Sequence, residues 1–236
     1  MNTASHGPSA SDLASLLGTD IDNLSLYHRA LTHRSCLREA DNPFDVSNER
    51  LEYVGDAFLD LLVGVALYTH FPDEDEGFLS RMRARLVSGR SLAQAARRCN
   101  LGSYLLLSRN AERNNGRSNP SILADAFEAI TGALYLDRGH EAAARFARCY
   151  LLDAVDLDAL VHKNRNYKSL LQEHLQGEGR PLPTYTVVDR TGPDHNYTFT
   201  VEALVEGEVL GRGTAPAKKE AEQRAAREAV QALKNE

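Results

Sequence analysis

Cysteine is scarce in this sequence, and its few thiols are widely spaced. The 236 residues include three cysteines, Cys36, Cys99 and Cys149. An odd number without a Cys-x-x-Cys pair argues against both a disulfide framework and a zinc site. We therefore expect three reduced thiols, in the core or at the surface.

Long apolar runs are also missing. No run of about 18 apolar residues is present, as a membrane-spanning helix would require. The amino terminus, MNTASHGPSASD, has neither the basic start nor the apolar centre of a secretion signal. These absences predict a protein of the cytoplasm.

An excess of positive charge is the third absence. The formal net charge is −6, whereas a protein that coats nucleic acid indiscriminately is usually basic. Any binding of nucleic acid must therefore depend on local patches. With 42% hydrophobic and 25% charged residues, the chain has an ordinary globular composition, and its length favours two domains.

The hydrophobic pattern changes near residue 160. From residue 11 to about 160, apolar residues recur at intervals of three and four, which predicts an all-α domain over residues 8–160. A linker is expected at 161–166. The remainder, 167–236, reads as a helix, two alternating strands joined through Glu206-Gly207 to a short third strand, and an alanine-rich helix. This order predicts a small α+β domain, α-β-β-β-α.

The stretch NERLEYVGDAFLD, residues 48–60, places carboxylates on an otherwise apolar helix. Helical spacing gathers core-type residues on one side, namely Leu51, Val54, Phe58, Leu61, Leu62 and Val65. The opposite side carries an acidic stripe: Glu49, Glu52, Asp56 and Asp60. The helix macrodipole explains an acid in the first turn, but Asp56 and Asp60 lie beyond it. A hard divalent cation would turn the repulsion between these acids into coordination.

A second acidic pair occurs in NPSILADAFEAITGALYLDRG. Asn119 and Pro120 predict a helix start, and the apolar face comprises Leu123, Phe127, Ile130 and Leu134. The opposite face carries Asp125 and Glu128, with Gly132 on the same side. Two helices with such pairs could supply four oxygen donors to one cation or to two neighbouring cations, for which Mg²⁺ or Mn²⁺ is suitable. A di-iron helical bundle would need a Glu-x-x-His motif, which the sequence lacks.

These motifs resemble those of a known family. NERLEYVGDAFLD is similar to the signature helix of ribonuclease III, usually NERLEFLGD, and LADAFEAITGALYLD resembles the second catalytic helix of that family. DEGFLSRMRARLVS lies between them, as in bacterial members. The segments GPDHNYTFTV and GRGTAPAKKEAEQRAAREAV resemble a double-stranded-RNA-binding domain. The resemblance covers nearly the whole chain, from about residue 10 to 235.

The resemblance implies a magnesium-dependent endonuclease for double-stranded RNA, with Mn²⁺ as a substitute. Its catalytic and metal-binding residues would be Glu52, Asp56, Asp125 and Glu128, with Glu76 as an auxiliary acid. Glu49 would be structural. Tyr53 replaces a phenylalanine that enters a pocket of the partner subunit in a homodimer. The products would have 5′-phosphate and 3′-hydroxyl ends and short 3′ overhangs, and the substrates would be ribosomal RNA precursors and other structured transcripts.

The resemblance also assigns RNA contacts. Gln172, Glu173 and His195 match positions that touch the RNA minor groove. Lys218 and Lys219 fall in the first turn of the last predicted helix, where cations oppose the helix dipole unless a phosphate docks there. Four arginines between the acidic helices either form a solvated helix face or line the RNA backbone; they are Arg81, Arg83, Arg85 and Arg90.

Two other functions are compatible with parts of this pattern. A non-catalytic regulator could bind structured RNA through the second domain and use the helical domain only to dimerise, but it has no use for a repulsive acid cluster. A helical metal-carboxylate oxidoreductase with an unrelated tail would require histidine ligands, which neither acidic stretch contains, and the placement of Lys218 and Lys219 also argues against it. We therefore expect the endonuclease.

Overall fold

A computed structural model describes residues 7–38, 45–157, 166–192 and 197–234 of the chain. The chain divides into two compact units, Met1–Leu157 and Asp158–Glu236. The linker predicted at 161–166 lies outside the described residues except for Asn166, so the exact domain limits stay a prediction.

The first unit is helical, as its periodicity predicts. Its helices are α1 (Ala10–Leu17), α2 (Leu24–Leu31), α3 (Glu49–His70), α4 (Glu76–Leu86), α5 (Gly89–Arg98), α6 (Arg109–Arg113) and α7 (Pro120–Ala147). Short 3₁₀ turns lie at Arg34–Arg38, Leu101–Tyr104 and Gly116–Ser118, and a π-turn follows α7 at Arg148–Leu152. Gly139 interrupts α7 with φ 78°.

The predicted start of α7 is confirmed. Asn119 is the N-cap and its Oδ1 accepts hydrogen bonds from the backbone N–H groups of Ser121, at 2.9 Å, and Ile122, at 3.4 Å. Pro120, which has no N–H to satisfy, occupies the first turn. All four residues predicted for the apolar face of α7 are buried, namely Leu123, Phe127, Ile130 and Leu134.

Helices α3 and α7 cross with their backbones in direct contact. A β-carbon built on Gly55 would lie 1.8 Å from the carbonyl oxygen of Glu128, and one on Gly132 would lie 2.2 Å from that of Leu51. Only glycine allows this approach, because real β-carbons essentially never come within 3.0 Å of another heavy atom. The two glycines therefore fix where the acidic helices meet.

The predicted core face of α3 is partly wrong. Leu51, Phe58 and Leu62 are buried, but the side chains of Leu61 and Val65 are 61% and 52% exposed. The face that packs inward is centred on Gly55 and includes Leu59, Val63 and Leu67 in addition, which turns the helix relative to the prediction. Leu61 and Val65 instead join two other exposed side chains in what we call the α3 stripe, defined as Tyr53, Leu61, Val65 and Tyr68.

Asp137, two residues before the interruption of α7 at Gly139, joins this helix to the start of α2. Its carboxylate accepts hydrogen bonds from the backbone N–H groups of Asp22, at 3.1 Å, and Asn23, at 2.9 Å, and from the hydroxyl of Tyr27, at 2.8 Å. Asn23 is the N-cap position of α2 and makes no side-chain capping bond of its own. Arg138 forms an ion pair with Asp22 at the same place. A half-buried carboxylate of α7 thus holds the backbone that leads into α2.

The second unit has the predicted α-β-β-β-α order. It consists of α8 (Tyr167–Gly177), β1 (Thr184–Thr191), β2 (Thr198–Val205), β3 (Glu208–Ala215) and α9 (Lys218–Lys234). The three strands form an antiparallel sheet in the order β1-β2-β3. Glu206 and Gly207 both have positive φ, 54° and 88°, as a two-residue hairpin turn requires. The third strand is longer than the short segment predicted around Val209 and Leu210.

Helix α9 packs directly on β3 through small residues. Four alanines of α9 are fully buried: Ala221, Ala225, Ala226 and Ala229. They lie opposite Gly211 and Gly213 of β3, where a β-carbon would come within 2.4 Å and 2.3 Å of α9 carbonyl oxygens. The alanine-rich sequence is therefore explained by close helix-to-sheet packing, which buries Val201, Ala203 and Val205 of β2 as predicted.

Two sequence expectations concern absences. All three cysteines are free thiols, with Cys36 and Cys99 buried and Cys149 exposed. In the described parts of the chain, none of the helices combines the length and the apolar character needed to cross a membrane.

Gly55→Ala should destabilise the helical unit, because the new methyl group would overlap the Glu128 carbonyl and push α3 away from α7. We expect a loss of about 3 kcal/mol or more, which corresponds to a melting temperature lower by about 6–12 °C for a unit of this size. Gly89→Ala is the matched control, since its β-carbon would meet nothing closer than 3.9 Å. Thermal unfolding followed by circular dichroism measures both, and equal melting temperatures for the two variants would contradict the crossing.

Candidate metal centre and RNA contacts

Three carboxylates from α3 and α7 converge at the crossing of these helices. Single oxygens of Glu52, Asp125 and Glu128 all lie within 4.8 Å of one another, and each side chain is partly buried. Glu52 is three residues before Gly55 on α3, and Glu128 is four residues before Gly132 on α7. The close approach of the two backbones therefore brings the acids together.

The charges of this cluster oppose one another. Burial, followed by the negative charges of Asp56, Glu52 and Asp125, raises the pKa of Glu128 to about 8. Burial is also the main cause that raises the pKa of Glu52 and that of Asp125. Protonation of an acid relieves this repulsion by removing its negative charge. A divalent cation would instead relieve the repulsion with the acids still ionised. The donor set, three carboxylates and no thiol or imidazole, fits a hard cation such as Mg²⁺ or Mn²⁺.

Two predicted metal ligands lie outside this group of three. Asp56 is exposed, one helical turn after Glu52, and its charge is the largest cause after burial in raising the pKa of Glu128. Asp56 is therefore close enough to interact electrostatically with the three clustered acids. Glu76 is the first residue of α4 and accepts a hydrogen bond from Ser80 Oγ at 2.6 Å. The predicted roles of both residues stay predictions.

The other two acids of the acidic stripe on α3 have protein partners. Asp60 lies 3.8 Å from the Nε of Arg83 on α4, so a cation of the protein compensates it. Glu49 accepts a hydrogen bond from Ser47 Oγ at 2.7 Å and lies 4.0 Å from Arg34 Nη1. A metal ion is thus needed to explain only the middle of the acidic stripe.

Tyr53, the predicted dimer contact, is 77% exposed. It belongs to the α3 stripe, whose four aromatic and aliphatic side chains are all exposed. Exposed apolar side chains that form a continuous patch are typical of a surface that another protein covers.

Four of the five predicted RNA contacts of the second unit lie on its two helices. Gln172 and Glu173 are on α8, and Lys218 and Lys219 form the exposed start of α9. His195 lies outside the described residues. Other cations of this unit are paired with its own acids, as in Lys168 with Glu222, Arg212 with Glu202 and Arg224 with Glu220.

Lys218 and Lys219 differ from those cations. Neither has an acidic partner among the residues that the structure describes, although the unit contains many acids. At the start of a helix they also face the positive end of its dipole. An external anion would favour both charges.

The arginines between the acidic helices are exposed. Arg81, Arg83 and Arg85 are on α4 and Arg90 is on α5. Arg83 pairs with Asp60, which is what a solvated helix face would show. For the other three, both the solvated face and an RNA-facing role remain open.

Sequence reasoning missed a cleft beside the acids. Its volume is about 790 Å³, and among its lining residues are His33, Arg34 and Ser35, Glu49 at the start of α3, and Ser108 and Asn110 near the start of α6. These residues come from three separate segments, so no periodic pattern unites them. The polar run Thr32-His33-Arg34-Ser35, directly after the apolar end of α2, is the signal that could have indicated it.

Comparison with protein families matches both units. Residues 23–155 match the model described as Ribonuclease-III-like, and residues 167–233 match the double-stranded RNA binding motif. Ribonuclease 3 of Chlorobaculum tepidum is 45% identical over 96% of this chain and 84% of its own length. Ribonuclease 3 of Desulforamulus reducens is 45% identical over 95% of this chain and 91% of its own length.

A solved structure resembles the helical unit. The nuclease domain of ribonuclease III from Campylobacter jejuni is 40% identical, with a TM-score of 0.56, and the match covers 61% of this chain and 97% of that domain. The structure of that domain was described in terms of flexibility in a region involved in dimer formation.

Glu128→Gln should stabilise the metal-free protein at alkaline pH. Because the folded pKa of about 8 exceeds the ordinary value of 4.5, the stability that Glu128 contributes is fully present below about pH 4.5 and is lost as the pH rises through 8. The neutral amide avoids that loss, so the variant should melt higher than the wild type near pH 9 and close to it near pH 5, measured with a chelator present. Glu141→Gln, an exposed acid on the same helix, is the control. A difference in melting temperature that does not change with pH would contradict the raised pKa.

Proposed function

Because the chain belongs to the ribonuclease III family and is an endonuclease specific for double-stranded RNA, we propose that it hydrolyses both RNA strands with the help of a divalent cation held by its clustered acids. The observation that carries this proposal is the convergence of Glu52, Asp125 and Glu128 within 4.8 Å, in a chain that also has a double-stranded RNA binding motif.

The acids serve as ligands rather than as nucleophiles. Glu52, Asp125 and Glu128 would hold the cation, Asp56 would add negative charge at the edge, and Glu76 would support the site from α4. When bound, Mg²⁺, or Mn²⁺ in its place, supplies positive charge to the phosphate oxygens and lowers the pKa of a water molecule that attacks phosphorus. Cleavage would leave 5′-phosphate and 3′-hydroxyl ends.

The raised carboxyl pKa values support this division of roles. A cluster of acids that is partly desolvated and repulsive in the free protein gains most from binding a cation. The crossing of α3 and α7 fixes the backbones that carry the ligands, so little ordering is needed when the cation arrives.

We propose that the active form is a homodimer. The α3 stripe supports this, because Tyr53, Leu61, Val65 and Tyr68 present an apolar face that a second copy of the same face can cover. Two active sites related by two-fold symmetry would cut opposite strands and leave short 3′ overhangs. Tyr53 would contact the partner subunit.

The second unit would hold the substrate. Gln172, Glu173 and His195 are proposed to touch the minor groove, and Lys218 and Lys219 the phosphate backbone. The absence of acidic partners for the two lysines among the described residues supports their part. Ribosomal RNA precursors and other structured transcripts are the proposed substrates, and the reaction would then take place in the cytoplasm.

The test of this function is cleavage of end-labelled double-stranded RNA of about 30–40 base pairs, longer than the ~16 that one such binding domain spans. The wild type should cut with Mg²⁺ and not with a chelator, and the two labelled strands should report staggered ends. Glu128→Gln should abolish cutting, because the amide weakens the metal site. It should leave RNA binding nearly intact, because residue 128 and the two lysines belong to different units. Glu141→Gln is the matched control.

Two results would contradict the proposal. Tight RNA binding by the wild type without cutting in Mg²⁺ or Mn²⁺ would favour a dimeric regulator. Nicks confined to one strand would argue against the homodimer, even if the chemistry were as proposed.

Lys218→Ala with Lys219→Ala should weaken RNA binding and flatten its dependence on salt, because fewer counterions are released when fewer phosphates are neutralised. The slope of log K against log[salt] should fall by about 1–2, in proportion to the number of phosphates that the two lysines neutralise. Lys168→Ala is the control, since this lysine is already paired with Glu222 at 2.6 Å. The measurement is RNA binding across a salt series. An unchanged slope for the double variant would show that these lysines do not contact the RNA backbone.

A further inference from the structure

The cleft beside the acids contains a histidine that is held in place by backbone contacts. The backbone N–H of His33 donates to the carbonyl of Leu106 at 3.0 Å, and that of Leu106 donates to Leu31 at 2.9 Å. The carbonyl of Thr32 accepts a hydrogen bond from the backbone N–H of Asn48 at 2.9 Å, immediately before α3. His33 is thereby fixed relative to the helix that carries Glu52.

The hydrogen bonds of the imidazole determine its tautomer. The backbone N–H of Ser35 donates to Nδ1 of His33 at 3.2 Å, so Nδ1 is an acceptor. The Oγ of Ser35, 2.9 Å from Nδ1, accepts in turn from the backbone N–H of Ser108 and is free to donate to the ring. With Nδ1 accepting, the proton of the neutral ring lies on Nε2.

That Nε2–H has no hydrogen-bond acceptor among the described residues. His33 lines the cleft together with Arg34 and Asn110. Burial, followed by the charge of Arg34, lowers the pKa of His33, while the charges of Asp125 and Glu49 oppose this shift. The ring is thus a neutral donor, close enough to the acid cluster for the charge of Asp125 to affect its pKa.

We propose that His33 donates a hydrogen bond from Nε2 to an oxygen of the RNA backbone next to the scissile phosphate, and that the cleft is the subsite for this part of the strand. The inference rests on the proposed nuclease function. The cleft offers donors of three kinds, imidazole, guanidinium and amide, and a ribose-phosphate strand is rich in acceptor oxygens. The neutral ring adds no further positive charge to a cleft in which Arg34 already supplies a cation.

His33 would act by positioning the strand and not by transferring a proton. Ser35 is then the residue that orients His33. The acceptor is either a non-bridging phosphate oxygen or a 2′-hydroxyl, and both chemistries are present in each nucleotide.

The experiment measures single-turnover cleavage by the full-length protein with saturating Mg²⁺. His33→Phe removes the donor and should cut about 2- to 150-fold more slowly, the range expected for losing a hydrogen bond to a neutral or a charged acceptor. His33→Gln keeps an N–H donor of similar reach and should recover most of the rate. His70→Gln, at the other end of the 22-residue helix α3 and roughly 30 Å from its start, is the control.

Modified RNA identifies the acceptor. Nucleotides on either side of the cut are replaced singly by 2′-deoxynucleotides or by methylphosphonates. The modification that removes the partner of His33 should slow the wild type but not slow His33→Phe further, as in a double-mutant cycle. A 2′-deoxy effect of this kind assigns the hydroxyl, and a methylphosphonate effect assigns the phosphate oxygen.

The outcomes separate this inference from the proposed function. If the wild type does not cut, the function itself fails. If the wild type cuts and His33→Phe cuts equally fast, or if every modification slows both proteins alike, only the subsite is wrong. His33→Leu repeats the test with a smaller side chain if the melting temperature of His33→Phe shows that it folds poorly.

Discussion

The contact between the backbones of α3 and α7 is the constraint on which the helical unit depends. Gly55 and Gly132 bring the two helices closer than any side chain would allow, and the carbonyl oxygen at the tightest contact belongs to Glu128. The residue with the most strongly raised carboxyl pKa is therefore also part of the helix crossing. Because backbone atoms have no rotamers, the packing of the fold determines the spacing of the backbone positions that carry the acids.

The same crossing explains why the acids are tolerated in the free protein. Burial and mutual repulsion raise the pKa of Glu52 and that of Asp125, and the pKa of Glu128, about 8, leaves that carboxyl mostly uncharged at neutral pH. The flanking acids have partners within the protein. Asp60 pairs with Arg83, and Glu49 with Ser47 and Arg34. The structure thus compensates the ends of the acidic stripe with its own groups and leaves only the centre to a cation.

Part of the fold and of the candidate metal site could be predicted from the sequence. The helix start at Asn119, the acids on one face of each helix and the two-residue turn at Glu206-Gly207 depend on local spacing, which a sequence displays. The orientation of α3 does not, because apolar residues occur nearly all round it, and the contact at Gly55 decides which of them face inward. The cleft around His33 was missed for a related reason, since its walls come from segments distant in sequence.

Asp137 has a consequence for the order in which the chain folds. Its carboxylate accepts a hydrogen bond from the backbone N–H of Asp22, 115 residues earlier, and so fixes the residues that lead into α2. A helix of eight residues without a cap of its own is marginal in water, so α2 gains its full stability only after α7 has been synthesised. At a synthesis rate of ~5–20 residues per second, Asp137 is synthesised roughly 6–23 s after Asp22. The docking of α2 during synthesis is thus delayed by this one long-range contact.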